Sequence, residues 1–179
     1  MPAFRGDWKS YRGRGAPMTS DLPSPHLGVV APMPLRCRTR AFGGFRQVNY
    51  VRDVSPFPLG ERFGAFDGEE VATPSETLLA ALGSCLSARI HANAAAASIV
   101  VHSLELDVEA DPSPSPMWDP AGFRARPVGF EAIRVVVHIE AEASPESLDA
   151  LIAHAAVWSP VANTLHDWVD LDVAMGKSA

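Results

Sequence analysis

The sequence predicts an α+β fold, in which strands and helices are segregated along the chain, and three observations carry that prediction. Residues 35–66 read as short strands separated by turn signals. Three hydroxyl-proline pairs, Thr73-Pro74, Ser144-Pro145 and Ser159-Pro160, mark helix starts. Two later segments alternate apolar and polar residues with the period of a half-buried strand. The resulting order, β-β-β-α-β-β-α-α-β, contains no internal repeat and does not alternate as a doubly wound parallel sheet requires.

The chain has 179 residues, which at ~100–200 residues per domain corresponds to one folded domain. Residues 1–34 form a preceding arm and residues 175–179 a short tail. With 47% hydrophobic and 20% charged residues, disorder throughout, a collagen-like repeat and a disulfide miniprotein are all excluded. The net charge of −6 provides no field to attract nucleic acid. Two cysteines, Cys37 and Cys85, are too few for a disulfide framework and suggest a reducing, cytoplasmic setting. No apolar h-region follows the basic residues near the start, so no secretory signal is expected. The longest apolar run, residues 77–88, is shorter than the ~20 residues a membrane span needs.

Residues 1–34 carry Pro2, Pro17, Pro23, Pro25, Pro32 and Pro34 without sustained periodicity, and read as an irregular arm. From Leu35 the pattern is strand-like, with Leu35, Cys37, Thr39 and Ala41 on one face and Arg36, Arg38 and Arg40 on the other. Gly43-Gly44 is a hairpin turn and residues 45–54 are the returning strand. Pro56 and Pro58 end it. Residues 61–66 are a short third strand, followed by the Asp67-Gly68 turn.

Thr73 as N-cap, Pro74 at the first helical position and Glu76 three residues after the cap form a capping-box signature. The helix behind it is apolar on nearly every side, so it must be covered on most of them and is the central helix of the fold. Over residues 77–93 this predicts an obligate homodimer. Leu104, Leu106 and Val108 alternate with acidic residues, and Ile133, Val135, Val137 and Ile139 alternate with polar ones, giving two antiparallel strands. Between them, residues 111–129 are a proline-rich connection carrying Trp118. Ser144-Pro145 starts a second helix running to about Val157, and Ser159-Pro160 starts a third. Val169, Leu171 and Val173 make the last strand.

The run TPSETLLAALGSC (residues 73–85) resembles the central-helix signature of the OsmC/Ohr family of peroxiredoxin-like proteins. SPVANTL (residues 159–165) resembles the family's second motif. The resemblance covers residues 35–174. It implies antiparallel sheets wrapped around central helices in an intertwined homodimer, and reduction of organic hydroperoxides by a thiol at the subunit boundary. Family peroxidases use two cysteines, and the second stands where this chain has Ser159.

Cys85 is the candidate nucleophile, its thiolate attacking a peroxide oxygen and becoming a sulfenic acid. The plainer alternative is a buried helical cysteine acting as a small hydrophobe. A reactive thiolate requires nearby positive charge. Arg46, close behind Gly43-Gly44, resembles the family's catalytic arginine and otherwise reads as a solvated strand residue. Arg89, four residues after Cys85, lies about 40° around the helix from it, or snorkels away from an apolar surface. Glu76 resembles the glutamate that orients the arginine, but the capping box alone accounts for it. Ser159 is either an N-cap or a hydroxyl that bonds a substrate or a sulfur oxyacid. Cys37 reads as an inward strand residue.

The six histidines form no metal-ligand spacing, and no nucleotide-binding glycine loop is present, so no metal or cofactor is expected. Two functions are consistent with these residues. One is a cytoplasmic antioxidant protein in which Cys85 is oxidised by an organic hydroperoxide and restored by an external thiol. The other is a redox-inactive dimeric module holding an apolar small molecule, for which Trp118, Phe123 and Trp158 are available.

Overall fold

The computed structural model describes residues 34–41, 46–61, 71–112 and 129–176. Most of the 1–34 arm, the Gly43-Gly44 and Asp67-Gly68 turns, residues 62–66, the connection with Trp118 and Phe123, and residues 177–179 lie outside them. The chain clusters into two compact units, one within residues 26–80 and one within residues 81–179.

In the first unit, β1 (Arg38–Ala41), β2 (Arg46–Tyr50) and β3 (Phe57–Gly60) form an antiparallel meander in the order β1-β2-β3. Arg38 lies opposite Tyr50, with its guanidinium carbon 4.9 Å from the ring centroid. Thr39 pairs with Asn49 and donates its hydroxyl proton to Asn49 Oδ1 at 2.7 Å.

Three expectations are corrected here. The first strand begins only at Arg38, and Leu35, Cys37, Thr39 and Ala41 are all exposed rather than inward. Alternation along a strand marks two faces but does not by itself supply a layer to cover either of them, and all four residues of β1 are exposed. The returning strand stops at Tyr50, because the chain turns through Arg52 in the left-handed region (φ 48°) and closes a Val54 N–H to Val51 carbonyl bond. Residues Phe57–Gly60 form a strand that contains Pro58, where Pro56 and Pro58 are expected only to end the preceding one. Among the described strands it is an outer one, where a residue without an N–H is tolerated.

The helix α1 (Pro74–Ala96) opens as the sequence dictates. Glu76 N–H donates to Thr73 Oγ1 at 3.1 Å while the Glu76 carboxylate accepts from Thr73 N–H at 2.8 Å, closing the capping box. Its far end is a Schellman motif. Ser98 is left-handed (φ 56°), Ile99 N–H reaches the Ala94 carbonyl, and Ser98 N–H reaches that of Ala95.

In the second unit, β4 (Val101–Pro112), β5 (Phe130–Ala141) and β6 (Asp170–Met175) form a sheet in that order. β4 and β5 are antiparallel, as their alternation predicts, but β6 runs parallel to β5. The crossover between them carries α2 (Pro145–Val157) and α3 (Pro160–Leu165). The inner residues Ile133, Val135 and Val137 of β5 and Leu171 of β6 share a buried core with Leu148, Leu151, Ile152, Ala155 and Ala156 of α2. From α1 only the stripe Leu82, Leu86, Ile90 and Ala94 is buried, a four-residue spacing that lines up one face. Gly83 permits close approach to β4: a Cβ there would lie 3.3 Å from Val108 Cγ2.

Candidate functional site

The candidate site is built at the junction of α2 and α3. Proline restricts the residue before it to extended backbone, and Ser159, preceding Pro160, has φ −81° and ψ 115°. That conformation makes it the N-cap of α3, and its Oγ accepts from Ala162 N–H at 3.2 Å. The residue is fully buried, with no exposed surface. With its lone pair committed to Ala162, the hydroxyl proton points at α1, where Ser159 Oγ donates to Cys85 Sγ at 3.1 Å. The two motifs, 74 residues apart, therefore meet through their most reactive side chains. Cys85 itself is half-buried.

The other anticipated residues are placed as follows. Arg89, one turn beyond Cys85, is exposed and makes no hydrogen bond or ion pair among the described residues. Arg46 is a half-buried residue at the start of β2. Glu76 is held by Thr73, accepting from both its N–H and, at 3.0 Å, its hydroxyl. Cys37 is exposed and so is not the inward residue its strand pattern suggested. Trp158, the C-cap of α2, is 61% exposed. No group of three or more His, Cys, Asp or Glu side chains converges on a common point among the described residues.

Sequence reasoning missed a second polar contact between α1 and α2. Asn93 Nδ2 lies 2.9 Å from His154 Nδ1. An amide nitrogen only donates, so Nδ1 is the acceptor and the ring is the neutral tautomer with its proton on Nε2. Burial holds the His154 pKa below the ordinary imidazole value of 6.5. The Trp158 ring is tilted against it with centroids 6.0 Å apart. No local pattern flags this pair, because its members are 61 residues apart and neither belongs to a motif.

The architecture is of the OsmC/Ohr type. A family model described as OsmC-like protein matches residues 67–174, more than half of the chain, and the chain belongs to that family. No curated protein matches it by sequence. The fold is shared with solved structures of low identity. The OsmC-like protein of Mycoplasma pneumoniae is 18% identical with a TM-score of 0.68, over 82% of this chain and 98% of its own. An organic hydroperoxide resistance protein OsmC from Legionella pneumophila is 17% identical with a TM-score of 0.63, over 83% and 100%. The organic hydroperoxide resistance protein OhrB of Bacillus subtilis is 16% identical with a TM-score of 0.60, over 80% and 98%. No helix among the described residues is long and apolar enough to cross a membrane.

Proposed function

We propose that this chain is a thiol-dependent reductase of organic hydroperoxides that works through a one-cysteine cycle at Cys85. The observation that carries the reading is the Ser159 hydroxyl donated to the Cys85 sulfur at 3.1 Å, at the position where family peroxidases have a second cysteine. The Cys85 thiolate attacks the distal peroxide oxygen and the O–O bond breaks. Its electron pair leaves on an alkoxide, which takes up a proton to become the alcohol. Cys85 is then a sulfenic acid, and Ser159 has no thiol with which to condense. An external thiol displaces the sulfenic oxygen as water, giving a mixed disulfide, and a second thiol releases Cys85 and carries away the oxidised reductant.

In this reading Arg89 provides positive charge that favours the thiolate and the departing alkoxide, and Arg46 is the arginine that the family resemblance implies. Glu76 acts through the capping box, fixing the start of the helix that bears Cys85. Residues 35–174 form the working domain, in a cytoplasm whose thiol pool restores the sulfur. A homodimer completes the site: α1 buries only one stripe within the chain and leaves Leu78, Ala80, Ala81 and Ala88 exposed.

The test is consumption of an organic hydroperoxide with a dithiol reductant. Cys85→Ser is expected to abolish turnover and Cys37→Ser to leave it unchanged. Loss of turnover in Cys37→Ser would instead make Cys37 the resolving thiol. A wild-type protein that consumes no hydroperoxide would favour the alternative, an apolar-ligand module, to which the exposed Trp158 is suited.

A further inference from the structure

Two polar contacts bridge α1 and the α2–α3 segment: Cys85 with Ser159 and, eight residues further along α1, Asn93 with His154. His154 stands in the last turn of α2, and Trp158 caps that helix, its backbone N–H bonded to the His154 carbonyl at 3.1 Å. Ser159 follows directly. We propose that His154 is a positioning residue for the Ser159–Cys85 pair: by accepting the Asn93 amide proton and bearing on Trp158 it fixes the end of α2 that aims the Ser159 hydroxyl at sulfur, and it gives up that hold when protonated.

Protonation places a proton on Nδ1, which then opposes the Asn93 amide N–H instead of accepting from it. The hold of α1 on the end of α2 is lost. Among the described residues no acid pairs with the ring to compensate its charge. The titratable and charged groups on the elements around it are Arg89 and His91 on α1, Glu146 and Asp149 on α2, His166 at the end of α3, and Asp170 and Asp172 on β6, and none is bonded to His154. His166 Nδ1 lies 2.9 Å from Asp167 Oδ1. On β5, Arg134, His138 and Glu140 occupy the exposed face. Burial alone lowers the His154 pKa.

The inference goes beyond hydroperoxide reduction, since it concerns the aim of Ser159 whatever Cys85 reacts with. Its test therefore uses no hydroperoxide. In a Cys37→Ser background Cys85 is the one remaining thiol, and its alkylation rate by iodoacetamide is measured with and without Ser159→Ala. Removing one hydrogen bond is expected to change that rate roughly two- to tenfold. His154→Ala is expected to change it in the same direction when Ser159 is present and to have no further effect when Ser159→Ala has already been made. His154→Gln, whose amide oxygen can accept from Asn93, retains the wild-type rate.

The ratio of the rates with and without Ser159 is expected to be constant above the ordinary imidazole range and to approach one as pH falls and His154 protonates. In His154→Gln the ratio stays constant. Equal effects of His154→Ala in both backgrounds, no effect in either, or a pH-independent wild-type ratio would overturn the proposal. Should His154→Ala fail to fold, the wild-type and His154→Gln ratios decide it. Hydroperoxide consumption by the same proteins reports separately on the peroxidase reading.

Discussion

Replacing Ser159 by cysteine restores the residue type that family peroxidases carry, and the geometry sets what should follow. Oγ and Sγ are already 3.1 Å apart, and a disulfide requires about 2.05 Å between sulfurs with Cβ atoms about 3.5–4.5 Å apart. The extra length of a C–S bond covers part of the difference, leaving a small rotation at each residue. Peroxide or diamide should therefore close a bond between residues 85 and 159 within one chain. The closed loop spans the 74-residue separation, and the chain-entropy relation gives about 4 kcal/mol of stabilisation for a loop of that length. The weaker thiol cap on α3, about 0.5–2 kcal/mol, is common to both redox forms of the variant, so the oxidised form should gain about 4 kcal/mol over its reduced form after strain-free closure. Urea unfolding with and without reductant measures the gain, and peptide mapping without reduction locates the bond. The reasoning fails if oxidant leaves both thiols of S159C free while Cys85 remains open to alkylation, or if the bond forms and lowers stability.

Other predictions address separate parts of the structure. Thr73→Ala removes the hydroxyl that caps Glu76 N–H and should cost about 1 kcal/mol of stability in urea unfolding. The lowered His154 pKa makes its neutral form a native preference. Its contribution is whole above the ordinary value near 6.5 and is lost as pH falls from there through the folded value, so wild type should destabilise over that window more than His154→Gln. Sedimentation at micromolar protein should show a dimer, because α1 leaves Leu78, Ala80, Ala81 and Ala88 uncovered; a folded monomer would remove that part of the account.

The parts legible in the sequence are those written by local chemistry. The three hydroxyl-proline pairs read as helix starts all became N-caps with proline at the first helical position, since capping requires only residues three or four apart. The alternation over β4 and β5 identified both strands. The short pattern of β6 did not fix its direction, so its parallel pairing with β5 emerged only in the fold. Pro58 reads as a strand breaker until its strand proves to be an outer one. Cys37 reads as inward until the strand proves to begin one residue later, at Arg38, with Cys37 exposed. At the site, resemblance linked residues 85 and 159, and the structure supplied the hydrogen bond between them. The Asn93–His154 contact had no sequence signal, because only tertiary packing brings α1 against α2.

The central claim is that Cys85 is the reactive thiol and has no resolving partner in its own chain. Mass spectrometry of wild-type protein treated with a modest excess of an organic hydroperoxide tests it most directly. The account predicts a trappable sulfenic acid at Cys85, no intrachain disulfide, progressive conversion to sulfinic acid without thiol, and return to the free thiol when a small thiol is present. An unmodified Cys85 under those conditions, or a Cys37–Cys85 disulfide, would contradict it.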